Sequence, residues 1–256
     1  METGYPLWSD PQSTKIHFVP AEKKVGNGTV VIFAGGGYEF RAHHEDIEYA
    51  EKINEFGLNA FYVDYRVFPD RFPAPQLDAR RAVRFVRANA EKFGIDPDKI
   101  AVMGSSAGGH LVSSLCNYRA PLDGEGVDEL DEVDYMPNAQ ILCYPVITLE
   151  AAFTHAGSAR NLLGDRVSEL APLLSGDLTA DEKTPPAFLW HTSTDELVPV
   201  KNSLRYGERL REVGVPFELH VFPTGHHGLG LARDVEGVNQ WPELLKGWLE
   251  RMKWME

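Results

Sequence analysis

From about residue 28 to the C-terminus, short apolar runs bounded by turn residues take turns with longer amphipathic stretches, and this alternation restricts the fold more than any other feature of the chain. The runs TVVIFAG (29–35), LNAFYVDYRV (58–67), KIAVMG (99–104), AQILCYP (139–145), PAFLWHT (186–192) and FELHVFP (217–223) have the length and side chains of strands. Several are apolar throughout, as strands covered on both faces must be. Between them, HEDIEYAEKINEF (44–56), APQLDARRAVRFVRANAEKF (74–93), NSLRYGERLREV (202–213) and VNQWPELLKGWLERM (238–252) space their apolar positions helically. Such a succession implies an α/β fold, a mostly parallel sheet wrapped by helices. The 256 residues suffice for one substantial core, and a single domain over 1–256 is expected.

Two segments interrupt the rhythm. Residues 117–138 are acidic and rich in turn formers, and residues 150–186 make a long excursion before the next strand. Long connections in a compact domain usually serve as lids or binding loops, and both segments are expected to flank a site in this way.

The 38 acidic side chains outnumber the 25 basic ones, and a net charge of −13 repels phosphate backbones and anionic lipid head groups. Nucleic acid and membrane surfaces are therefore excluded as expected partners, which leaves small molecules. METGYPLWSDPQSTK contains neither a basic region followed by an apolar one nor any approach to the roughly 18 apolar residues of a membrane span. The expectation is a cytoplasmic protein. Cys116 and Cys143, in an expected helix and an expected buried strand, read as free thiols acting as small hydrophobes.

Chemistry enters at VMGSSAGGHL (102–111), which sets two serines between glycines. Ser105 has Met103 and Ala107 two positions away on either side, whereas Ser106 has Gly104 and Gly108. A nucleophile on a sharp strand-to-helix turn needs small residues at those two positions, because strand and helix approach too closely there for side chains. KIAVMG before the motif reads as a strand and HLVSSLCNY after it as a helix, the required setting. Ser106 is thus the candidate nucleophile, and Ser105 is assigned to packing.

A serine hydroxyl needs a base, and the base needs an orienting carboxylate. In the chain order serine, acid, histidine, the base belongs in the loop after the last strand, where GHHG (225–228) offers His226 and His227. The acid belongs after the preceding strand, where TDELVPV (194–200) offers Asp195 and Glu196. Asp195 also reads as a turn-initiating or helix-capping residue. Of the remaining histidines, His43 and His44 read as solvated at a helix start, His110 as packing beneath the site, and His191 and His220 as satisfied within strands. His17 and His155 have no chemical neighbour in the sequence.

Ester chemistry also places negative charge on the former carbonyl oxygen, which preorganised N–H groups stabilise. FAGGGYEF (33–40) supplies a glycine run after the first strong strand. A phosphate loop is disfavoured there, since no Lys-Ser or Lys-Thr follows and the G-x-G-x-x-G spacing fails at Phe40.

Taken together, AGGGY (34–38), GSSAGGHL (104–111), YPVIT (144–148), NLLG (161–164), TPPAFLWHTSTDELVPVKNSL (184–204) and HVFPTGHHGLGLA (220–232) resemble the small α/β-hydrolases related to hormone-sensitive-lipase-like esterases, described as acetylesterases or acetyl-xylan-esterase-like proteins. The resemblance spans nearly the whole chain and implies the α/β-hydrolase fold. It implies Ser106 as nucleophile, Asp195 as acid and His227 as base, with the N–H groups of Gly36, Gly37 and Ala107 as the oxyanion hole. Relatives usually carry His or Pro where this chain has Ala34. The implied activity is hydrolysis of short acyl esters, acetyl above all, on sugar or alcohol leaving groups, without metal or cofactor. The two long segments are expected to line the alcohol side, with Tyr38, Tyr144 and Trp190 as candidate pocket aromatics that read equally as core residues. A serine peptidase or an acyltransferase on the same fold, and a non-catalytic hydrolase-fold binding protein, are the competing readings.

Overall fold

Strands β1 (Gly4–Pro6), β2 (Lys15–Val19), β3 (Thr29–Phe33), β4 (Asn59–Val63), β5 (Ile100–Ser105), β6 (Ala139–Cys143), β7 (Ala187–Thr192) and β8 (Phe217–Phe222) join in one sheet in the order β1-β2-β4-β3-β5-β6-β7-β8. The coordinates are a computed structural model that describes residues 4–10, 14–150 and 152–256. β2 runs antiparallel to β1 and β4, and every other pairing is parallel. The helices are α1 (Ile47–Glu55), α2 (Ala74–Ala88), α3 (Ala90–Phe93), α4 (Ser106–Asn117), α5 (Ala156–Leu163), α6 (Val167–Leu174), α7 (Gly176–Thr179), α8 (Lys201–Glu212) and α9 (Trp241–Arg251). None of the described helices is long and apolar enough to cross a membrane.

The central strands are buried at every position because each face has its own core. Val31, Phe33 and Val102 join the cluster that includes Leu111 of α4, Val83 of α2 and Leu210 of α8. Their neighbours Val30, Ile32, Ala101 and Met103 join the opposite cluster with Ile53 of α1 and Leu245 of α9. A two-residue side-chain period in an apolar run delivers this division. The chain reverses its lateral progress at β3, which pairs with β4 on one side and β5 on the other. The carboxyl ends of β3 and β5 therefore border a crevice, the usual ligand position in an open α/β sheet.

All six expected strands form β3 to β8. The antiparallel pair β1 and β2 was not anticipated, because one is three residues ending in proline and the other five residues, too short for periodicity to register. The segment 117–138 also departs from expectation: it lines no part of the site cavity described below. Arginines of α2 hold it down instead, with Arg80 Nη1 donating to Glu125 at 2.9 Å, Arg81 pairing with Asp128, and Arg84 Nη1 donating to Asp131 at 2.9 Å. Its acidity answers a basic helix face rather than a substrate. The segment 150–186 folds into α5, α6 and α7, and its first part does reach the site.

Candidate active site

Ser106 sits where β5 turns into α4 with φ of 50°, a left-handed conformation that side-chain-bearing residues adopt at a cost. Two glycines make the turn physically feasible. A Cβ on Gly104 would lie 2.2 Å from the Gly108 carbonyl oxygen, and one on Gly108 would lie 2.1 Å from that of Phe33. Ser105 points away from the cavity, fully buried, and its hydroxyl donates to Tyr49 Oη at 3.1 Å.

The loop after β8 brings His227 over this turn. His227 Nε2 lies 2.8 Å from Ser106 Oγ, and Nδ1 lies 2.7 Å from Asp195 Oδ2. With Nδ1–H donating to the carboxylate, Nε2 is the acceptor for the serine proton. Asp195 Oδ1 meanwhile accepts the N–H groups of Leu197 at 3.0 Å and Val198 at 2.9 Å. Turn initiation and histidine orientation are thus performed by one side chain, each with its own oxygen. The alternatives fall elsewhere: Glu196 is exposed, and the exposed His226 ring turns its Nδ1 to the His227 carbonyl at 2.7 Å.

Burial by itself would raise the Asp195 pKa, but donors from His191, His227 and the Val198 N–H overcome it and hold the carboxyl well below the usual range. His191 is fixed for this task. Its Nε2–H donates to the Val198 carbonyl at 2.8 Å and lies 3.4 Å from Asp195 Oδ2, while Nδ1 accepts from Ser203 Oγ at 2.8 Å. His110 packs beneath the site as expected, with Nε2–H donating to the Leu174 carbonyl at 2.9 Å and Nδ1 accepting the Tyr38 hydroxyl at 2.8 Å.

The loop after β3 places Gly36 and Gly37 on the cavity wall with φ of 126° and 65°. Gly35 lies so close to the elbow that a Cβ would be 3.0 Å from that of Ser106. Its N–H is already engaged, donating to Glu45 Oε2 at 2.7 Å. No hydrogen bond among the described residues takes the N–H of Gly36 or Gly37. The Ala107 N–H belongs to the first turn of α4, where backbone donors lack intrahelical partners. Asn161 Nδ2 holds the far side of the loop by donating to the Gly37 carbonyl at 2.9 Å.

Glu45 is the functional-site residue that sequence reasoning missed. Its other oxygen, Oε1, accepts the Tyr144 hydroxyl at 2.6 Å, and Tyr144 Oη in turn accepts the Gly230 N–H at 2.9 Å. Burial raises the Glu45 pKa, against the pull of the Tyr144 and Gly35 donors and of nearby His44 and His227. His44 is exposed, as expected, and in addition its Nε2–H donates to the Gly228 carbonyl at 3.0 Å and so braces the loop of His227.

These groups open on a cavity of about 370 Å³ lined by Gly36, Gly37, Phe40, Glu45, Ser106 and His227 among others. The expectation that Tyr38, Tyr144 and Trp190 line it is corrected, because all three are buried beneath it. Tyr38 is held by His110. Tyr144 meets the His227 ring at 5.2 Å in an edge arrangement, and Trp190 stacks on Trp241 at 5.0 Å. Each ring is drawn inward by apolar neighbours and, for the tyrosines, a buried polar partner. The aromatic residue that does face the cavity is Phe40. No cluster of three or more His, Cys, Asp or Glu among the described residues is arranged to hold a metal ion.

A mostly parallel eight-stranded sheet, with serine at a strand–turn–helix elbow and aspartate and histidine on the loops after β7 and β8, defines an α/β-hydrolase. The family model described as BD-FAE matches residues 16–210, and the chain belongs to that family. Among solved structures, an acetyl ester-xyloside bifunctional hydrolase from Caldicellulosiruptor lactoaceticus is 41% identical with a TM-score of 0.91, covering 99% of this chain and 97% of its own. Among curated proteins, endo-1,4-beta-xylanase B of Butyrivibrio fibrisolvens is 37% identical over 86% of this chain and 34% of its own length. Acetylxylan esterase of Xylanibacter ruminicola is 31% identical over 95% of this chain and 49% of its own length. The chain thus spans half or less of these two curated relatives.

Proposed function

We propose that the protein is a serine carboxylesterase that removes acetyl groups from acetylated sugars such as xylo-oligosaccharides. The observation that carries the reading is the unbroken line of hydrogen bonds from Asp195 through His227 to Ser106 at the floor of a cavity. The names borne by its relatives, an acetylxylan esterase and an acetyl ester-xyloside hydrolase, support the acetyl group and the sugar.

In this mechanism Ser106 Oγ attacks the ester carbonyl as His227 Nε2 takes its proton, and Asp195 stabilises the resulting imidazolium. The oxyanion is received by the N–H groups of Gly36, Gly37 and Ala107, each such donor being worth about 10²–10³ in rate. Of the three consecutive glycines, Gly35 is unable to serve because Glu45 takes its N–H. As the tetrahedral intermediate collapses, the C–O bond to the alcohol breaks and His227 returns the proton to the departing oxygen. Water then adds to the acyl-serine, again losing its proton to His227, and acetate leaves as Ser106 Oγ is reprotonated.

The test is turnover of p-nitrophenyl acetate and release of acetate from acetylated xylo-oligosaccharides. Wild type should hydrolyse both, and Ser106→Ala should reduce both by several orders of magnitude. Equal rates for the two proteins would remove the reading.

A further inference from the structure

An acetyl group has one polar atom, its carbonyl oxygen, and the proposed oxyanion donors already occupy it. Any other hydrogen-bonding group that faces the cavity is redundant for the acyl half of the substrate. His155, the N-cap of α5, is such a group. The Ser158 backbone N–H donates to its Nδ1 at 3.2 Å, and the Ser158 hydroxyl lies 2.8 Å from the same atom. A backbone amide donates only, so Nδ1 is unprotonated and the ring proton resides on Nε2. No acceptor for that Nε2–H appears among the hydrogen bonds of the described residues. The ring lies over the glycine loop, where a Cβ on Gly37 would be 3.6 Å from His155 Cε1. Burial, followed by the nearby His227, lowers the His155 pKa against the pull of Asp195, a shift in favour of the neutral ring.

Two further features of the wall belong with this donor. Asn161 must turn its amide nitrogen to the Gly37 carbonyl, which leaves Oδ1 as an acceptor. Phe40 and Leu197 remain 58% and 54% exposed although both line the cavity. A donor, an acceptor and an aromatic face around one cavity match a pyranose, which offers vicinal hydroxyls and an apolar C–H face.

Resting on the esterase reading above, we infer that His155, Asn161 and Phe40 form the subsite for the sugar leaving group, with His155 Nε2–H donating to a ring hydroxyl and Phe40 stacking on the sugar's C–H face. The specificity of the enzyme for sugar acetates over simple acetates then resides in these residues rather than in the oxyanion loop. His155 is a substrate-contact residue, and its two ring nitrogens divide the work between capping α5 and reading the substrate.

The division allows a clean test. In His155→Asn, Oδ1 can replace Nδ1 as the acceptor for Ser158 N–H, so the cap survives while the cavity donor is lost. kcat/KM is measured for a methyl O-acetyl-β-xylopyranoside and for p-nitrophenyl acetate in wild type, His155→Asn and Phe40→Ala. The ratio of xyloside to p-nitrophenyl acetate should fall roughly fivefold to tenfold in each variant, the scale of one hydrogen bond or one stacking contact. A ratio within twofold of wild type in both variants would overturn the subsite. So would a wild type that cleaves p-nitrophenyl acetate but not the xyloside, an outcome that leaves ester hydrolysis standing. A wild type inert on both, with Ser106→Ala indistinguishable from it, removes the esterase reading and the subsite together.

Discussion

Glu45 accepts the Gly35 N–H through one carboxylate oxygen and the Tyr144 hydroxyl through the other, at 2.7 and 2.6 Å. The Tyr144 oxygen accepts from Gly230 N–H at 2.9 Å and lies 3.1 Å from the Tyr49 hydroxyl, which accepts from Ser105. One buried carboxylate therefore joins the glycine loop, the His227 loop and the nucleophile turn, none of which adjoins another in sequence. Chains of buried hydrogen bonds are rigid when complete and costly when broken, about 1–3 kcal/mol for each polar group left unpaired. If the loop supplies the proposed oxyanion donors, Glu45→Ala should lower kcat on p-nitrophenyl acetate by roughly tenfold to a hundredfold with little change in KM, because Glu45 would then position those donors rather than grip substrate. Glu45→Gln, which keeps one acceptor oxygen, should recover part of the loss. Unchanged kcat in Glu45→Ala would show that the loop holds itself.

Asp195 and Glu45 should leave opposite marks on stability against pH. The folded-state pKa of Asp195 is depressed, so its contribution is complete above the unfolded value near 3.9 and disappears as pH falls through the folded one. The stability gap between wild type and Asp195→Asn should accordingly be widest near neutrality and close in acid, as followed by urea unfolding. Glu45 has a raised folded-state pKa, so folding retains its proton and stability declines as pH climbs from about 4.3 through that higher value. In Glu45→Gln that decline should be absent. Parallel curves for wild type and either variant would refute the corresponding assignment.

How far the sequence carries the reader depends on whether a residue acts through its neighbours in the chain or across the fold. Ser106 was legible because its strain and its glycine supports lie within five consecutive residues, and the alternating runs announced all six parallel strands. Asp195 and His227 were placed by chain order and family resemblance, since His227 and Ser106 are 121 residues apart and nothing local joins them. Glu45 was invisible for the same reason, its Tyr144 partner lying 99 residues on. His155 had no chemical neighbour in the sequence, Phe40 entered only as the residue that breaks a phosphate-loop spacing, and His44 read simply as solvated, because the cavity they share exists only after the sheet is assembled. For Tyr38, Tyr144 and Trp190 the sequence offers both a pocket and a core role, and burial decides for the core, placing them underneath.

The choice between the two adjacent histidines has a direct measurement. Only His227 reaches both Ser106 and Asp195, while His226 is exposed and bonds to the backbone next to it. His227→Ala should reduce kcat on p-nitrophenyl acetate by several orders of magnitude, and His226→Ala should stay within about threefold of wild type. Loss of activity in His226→Ala comparable to that in His227→Ala would mean that the loop rearranges during turnover.

His110 gives the fold a built-in sensitivity to acid. Buried between the Tyr38 hydroxyl and the Leu174 carbonyl, its imidazole has a pKa pushed down by burial to about 4. In the unfolded chain a histidine titrates near 6.5, so between about pH 6.5 and 4 the unfolded state binds a proton that the folded state refuses. Stability then drops as pH falls through that window, by up to about 1.4 kcal/mol per pH unit and about 3 kcal/mol in all. His110→Gln retains an acceptor and a donor on one side chain but does not titrate. Its unfolding free energy at neutral pH should be lower than wild type because the amide packs less well, yet its slope between pH 6.5 and 4 should be shallower by up to the same 1.4 kcal/mol per unit. Urea titrations at half-unit pH intervals measure both quantities, and identical slopes in the two proteins would mean that the ring is protonated in the native state.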